Sequence, residues 1–78
     1  MKRRQKDSDA LLKQIGNRLK ELRFHKGFTS YEDFALSHDL DRKQYWRMEN
    51  GANITIKSLY RLTKVHGITL EQFFKGLD

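Results

Sequence analysis

A chain of 78 residues has room for one compact core, because a domain of this size buries only about 60% of the surface its unfolded chain exposes. It has no cysteine, which excludes disulfide staples and cysteine-ligated zinc, and no apolar run approaches the roughly 18 residues of a membrane span; a soluble cytoplasmic protein is expected. The 16 Lys and Arg against 10 Asp and Glu leave a net charge of +6, all of it in residues 1–30, where nine basic groups face three acidic ones, while residues 31–78 hold seven of each. Such an uneven distribution suits a polyanionic partner, although a charge that only keeps the chain in solution would account for it as well.

With no proline, and with strand-like alternation confined to NITI at residues 53–56, the chain reads as helical. MKRRQK has nothing to bury, so residues 1–8 are expected to form a flexible basic arm, either a solubilising tail or one that meets phosphates or a minor groove. Ser8 or Asp9 caps a first helix, on which Leu12, Ile15, Leu19 and Leu22 recur at helical spacing until Gly27 stops it. Thr29 with Glu32 reads as a capping box opening a second helix at residues 31–37, with Phe34 and Ala35 inward. HDL at residues 38–40 makes a tight turn in which Asp39 tolerates a left-handed backbone, and Asp41 caps a third helix at residues 42–49, closed by Asn50-Gly51. Thr55 caps a fourth, with Ile56, Leu59, Tyr60, Leu62 and Thr63 inward and Gly67 as its stop. Thr69 with Gln72 opens a fifth, with Leu70, Phe73, Phe74 and Leu77 on one stripe. The expectation is an all-α, five-helix domain over residues 9–78.

The third helix is unusual in composition. Arg42 to Arg47 places three basic side chains, a glutamine and two large aromatics in six consecutive residues. At 100° per residue, Asp41, Met48 and Glu49 fall within about 60° of Tyr45, whereas Lys43 and Arg47 fall near the opposite pole, with Gln44 and Trp46 on the flanks. One side therefore packs and the other offers long hydrogen-bond donors, Arg42 among them, from the exposed first turn. A helix of this kind, preceded by another helix and a three-residue turn, fits a DNA major groove, where arginine forks onto guanine and glutamine pairs with adenine.

The order IGNRLKELR, KG, a short helix ending in FALS, DRKQYWRMENG, and a helix with GITLEQFF resembles the phage repressor and Cro-like, or XRE-type, helix-turn-helix family over about residues 10–76. The resemblance implies a lambda-repressor-like fold in which residues 42–49 are the recognition helix. It implies base contacts from Arg42, Lys43 and Arg47 and phosphate contacts from Ser30, Tyr31 and Asn50; on the flanks of the helix, Gln44 would pair with adenine or hold a phosphate, and Trp46 would stack on a sugar or cover a neighbouring loop. It also implies a buried ion pair between Arg23 and Glu49, which the helical wheel supports independently: Arg23 lies about 20° from Leu12 on the apolar stripe, and Glu49 on the packed side of the third helix. The chain departs from the family pattern at Tyr31, where glutamine is common, at Asp39, where glycine is common, and at Asp41, which replaces Ser or Thr.

Double-stranded DNA is the expected partner and transcription regulation the expected function. The stripe on the fifth helix reads as core, but Phe73, Phe74 and Leu77 would also serve a symmetric dimer contact, placing two recognition helices about 34 Å apart over a palindromic site. Two alternatives stay open: a protein-interaction module using Trp46, Phe73 and Phe74, and a partner-binding antitoxin with the same DNA-binding fold. No enzyme, cofactor or metal is expected. His25, His38 and His66 are far apart in sequence, and neither a nucleophile elbow nor a glycine-rich phosphate loop is present.

Overall fold

The computed structural model describes the backbone of residues 2–75 and 77 and the side chains of residues 7–75 and 77. Within them lie five helices and no strand: α1 (Lys2–His25), α2 (Tyr31–Ser37), α3 (Arg42–Glu49), α4 (Ile56–His66) and α5 (Leu70–Lys75). The all-helical, five-helix expectation holds.

Every helix contributes to one core: Ile15 and Leu19 from α1, Phe34 and Ala35 from α2, Tyr45 from α3, Leu59 and Leu62 from α4, and Phe73 from α5. Burying each of the larger side chains is worth about 1.5–3 kcal/mol, so no single helix has enough apolar surface to hold its shape alone. Phe34 lies near its centre, with the ring centroids of Phe28, Tyr45 and His66 at 5.4, 5.0 and 5.3 Å.

Three boundaries or faces differ from the sequence reading. Helix α1 is already helical at Lys2, so Ser8 and Asp9 lie inside it and do not cap it. Lys, Arg and Gln are good helix formers, and nothing in the first eight residues breaks the helix. The start of α2 is capped one residue later than expected: Ser30 Oγ accepts from the Asp33 amide at 3.2 Å, and Thr29 instead gives its carbonyl to Arg23. On α4, Leu59, Leu62 and Thr63 are buried, but Ile56 and Tyr60 are 65% and 50% exposed. A core of this size covers only a narrow stripe of α4, and the broad inner face read from sequence overestimates it.

The caps of α3, α4 and α5 follow the sequence. Asp41 accepts from the Gln44 amide at 2.9 Å and Thr55 from the Ser58 amide at 3.0 Å. Thr69 and Gln72 satisfy each other's backbone amides reciprocally at 3.0 and 2.9 Å.

Gly16 brings α1 and α3 together. A Cβ at this position would lie 2.8 Å from the carbonyl oxygen of Met48 and would overlap that of Glu49, so the two backbones meet with no side chain between them. That approach fixes how α3 sits on the rest of the molecule.

Candidate nucleic-acid interface

Helices α2 and α3 are joined by a turn whose geometry is fully specified. The Leu40 amide donates to the Ala35 carbonyl at 2.8 Å, Asp39 takes φ = 58°, and Asp41 starts α3 immediately afterwards. Asp tolerates the left-handed region better than most side chains, which explains its presence where a glycine would be unstrained. From α4, Arg61 Nη2 donates to the Asp39 carbonyl at 2.9 Å and holds the turn from outside. Nothing in the sequence had singled out Arg61.

The inner side of α3 is anchored by a charged fork. Arg23 Nε and Nη2 donate to the two carboxylate oxygens of Glu49 at 2.7 and 3.0 Å, and Arg23 Nη1 donates to the Phe28 and Thr29 carbonyls at 3.0 and 2.8 Å. One side chain of α1 thus ties together the end of α3 and the segment that leads into α2. Both partners are buried, and the bond to Glu49 raises the Arg23 pKa against the opposing effect of burial, which keeps the guanidinium charged. Above it, burial pushes the Tyr45 pKa up, with proximity to Glu49 adding to the shift. The phenol is neutral, and its hydroxyl is buried without a hydrogen-bond partner.

The outer side carries Arg42, Lys43, Gln44, Trp46 and Arg47, all exposed. Between this side and the start of α2 runs a groove of about 530 Å³ lined by Tyr31, Glu32, Arg42, Lys43, Trp46 and Arg47, with the Arg42 Nη1 of its rim 3.4 Å from Glu32 Oε2. Tyr31 is partly buried against the core, so its ring contributes a wall of the groove. Ser30 lies just outside, with its hydroxyl oxygen engaged as the α2 cap. At the far end Asn50 is exposed, its amide donating to the Trp46 carbonyl at 2.8 Å, and Gly51 at φ = 91° lets the Ala52 amide reach the Arg47 carbonyl at 2.9 Å. This closing geometry needs a residue without a Cβ penalty, and it ends α3 before the helix can run past the groove.

The stripe on α5 divides. Phe73 is 0% exposed, with its ring within the core and Arg18 5.7 Å above it; it is a core residue, as the stripe reads first, and is not open to the alternative of a dimer contact. Phe74, 40% exposed, and the partly buried Leu77 remain at the surface. Residues the sequence reading passed over prove to be positioning ones: Gly16, Arg61, and Arg18, which donates to the Phe73 carbonyl at 3.2 Å. Gly16 had a readable signal, since a lone glycine inside an amphipathic helix costs about 1 kcal/mol and usually has a packing reason. No such signal marks Arg18 or Arg61, two cations among many.

His66 stacks on Phe34 at an interplanar angle of 8°, and burial first, then the nearby Lys26, His38 and Arg18, lower its pKa to about 4. Among the described residues no group of His, Asp and Glu is placed to hold a metal, and no helix is long and apolar enough to cross a membrane.

Two helices joined through a left-handed turn, the second packed by one side and cationic on the other, define a helix-turn-helix protein. Among known proteins, the control protein C.MunI of a Mycoplasma species is 39% identical to this chain over 66 residues, which cover 83% of this chain and 89% of that protein. The chain belongs to this control-protein family, within the broad Cro/C1-like group of helix-turn-helix proteins. Neither a family model nor a solved structure matches it.

Proposed function

We propose that the protein is a sequence-specific DNA-binding transcriptional regulator of the control-protein type, with α3 lying in the major groove. The observation that carries this reading is the division of α3: Tyr45 and Glu49 are buried, while Lys43 and Arg47 are exposed near the opposite pole and Arg42, beside Glu32, is exposed on the first turn. Membership of the control-protein family supports it from a second direction. Arg42, Lys43, Gln44 and Arg47 read base edges at about 1–3 kcal/mol per good bidentate contact, and Tyr31, Ser30 and Asn50 meet phosphates at the two ends of the groove. The excess of Lys and Arg in residues 1–30 adds salt-dependent affinity without choosing a sequence. A homodimer joined through the surface of α5 at Phe74 and Leu77 would present two α3 helices to a palindromic site.

The test is binding of selected and random duplexes across a salt series. Arg47→Ala and Lys43→Ala are expected to weaken specific binding far more than non-specific binding, whereas changes at Lys2 and Arg3 flatten the salt slope. Equal losses on both kinds of DNA for all four would overturn the assignment. Failure to bind random DNA even at low salt would favour a protein-interaction module.

A further inference from the structure

The geometry points to Trp46 as the reader of a thymine methyl group. This inference rests on the reading of α3 as the helix that enters the major groove, and it names what the groove between α2 and α3 receives there. Trp46 is 46% exposed on the outward half of α3, between Arg42 and Lys43 on the preceding turn and Arg47 beside it. Its indole and the ring of Tyr31 line the groove, and the charged groups of Arg42, Lys43, Arg47 and Glu32 complete it. An apolar surface framed by cations calls for an apolar group embedded among acceptors.

The major groove of DNA offers such a group at one place. Every base presents hydrogen-bonding atoms there, but among the four unmodified bases only thymine adds a methyl, on C5. Arg42 and Lys43 stand four and three residues before Trp46, so their side chains are its neighbours on the helix surface, about 5–6 Å away at Cβ. With about 3.4 Å between successive bases, the methyl lies one or two base pairs from the base that these cations read. Glu32 lies on the same rim, with a carboxylate oxygen 3.4 Å from the Arg42 guanidinium. Burying one methyl of this kind corresponds to an affinity change of about three- to fivefold.

The test uses the whole chain. Duplexes bound by the protein are selected from a random pool, and each thymine of the consensus is replaced in turn by deoxyuridine, which removes the methyl and leaves base pairing intact. Affinities are measured for the wild type, Trp46→Ala and Trp46→Leu, each checked for helical content. One thymine per bound α3 is expected at which uracil weakens the wild type about three- to fivefold. The same replacement should cost Trp46→Ala nothing and Trp46→Leu part of that loss. The assignment is overturned if no uracil weakens the wild type, or if Trp46→Ala suffers the same loss. It is equally overturned if the consensus lacks thymine and affinity rises only with 5-methylcytosine. A pool that yields no consensus at all defeats the proposed function itself, a separate result from a consensus whose methyl groups are not read.

Discussion

The two sides of α3 share eight residues and answer to different constraints. Toward the interior, Tyr45 and Glu49 are held by Arg23, by Phe34 and by the backbone of α1 at Gly16, with almost no solvent in reach. Toward solvent, Lys43, Trp46 and Arg47 are exposed and line an open groove. Substitutions on the inner side should therefore appear as lost stability, and those on the outer side as altered binding at nearly constant stability.

The sharpest way to break that contrast is Glu49→Ala, which leaves the Arg23 guanidinium buried and half satisfied. A loss of about 3–5 kcal/mol is expected, enough to unfold much of a small domain at 37 °C, and denaturant titration followed by circular dichroism would measure it. Gly16→Ala comes next. In an exposed helix the change would stabilise by about 1 kcal/mol, but here the methyl meets the carbonyls of Met48 and Glu49, and a net loss of about 1–3 kcal/mol is expected in the same titration.

Acid gives a smaller and graded effect through His66. Its pKa lies near 4 in the folded chain and near the usual 6.5 when unfolded, so below 6.5 the unfolded state binds the proton more readily. The stabilisation is fully present above pH 6.5 and is lost as pH falls toward 4, by at most about 1.4 kcal/mol per pH unit. His66→Phe should remove this slope, and a wild-type slope that survives the substitution would assign it to other groups. The smallest effect belongs to the outer side: Lys43→Ala should leave the unfolding free energy within about 0.5 kcal/mol of wild type. A larger fall would mean that this side also carries the fold.

Much of this architecture was legible in the sequence because local chemistry decides it. Asp41, Thr55 and the Thr69–Gln72 box cap the helices the sequence assigns to them, and Asp39 takes the left-handed turn. The period of the third helix alone separates Tyr45 from Lys43 and Arg47. What escaped depends on long-range placement. Ile56 and Tyr60 carry the same apolar signal as Leu59 and Leu62, and only the limited extent of the core leaves them outside. Phe73 and Phe74 are adjacent aromatics, and their separation into interior and surface follows from the angle at which α5 docks. Arg61 finds the Asp39 carbonyl across 22 residues of chain, a contact no local pattern encodes.

The meeting of main chain with main chain at Gly16 also bears on how such a protein diverges. Because the seat of α3 there rests on peptide groups, exchanges among aliphatic residues at Ile15 or Leu19 can refill the interior without tilting the helix that faces outward. Its descendants can then acquire new binding preferences by exchanging Arg42, Lys43, Trp46 or Arg47 alone, on a mount whose pitch is inherited unchanged.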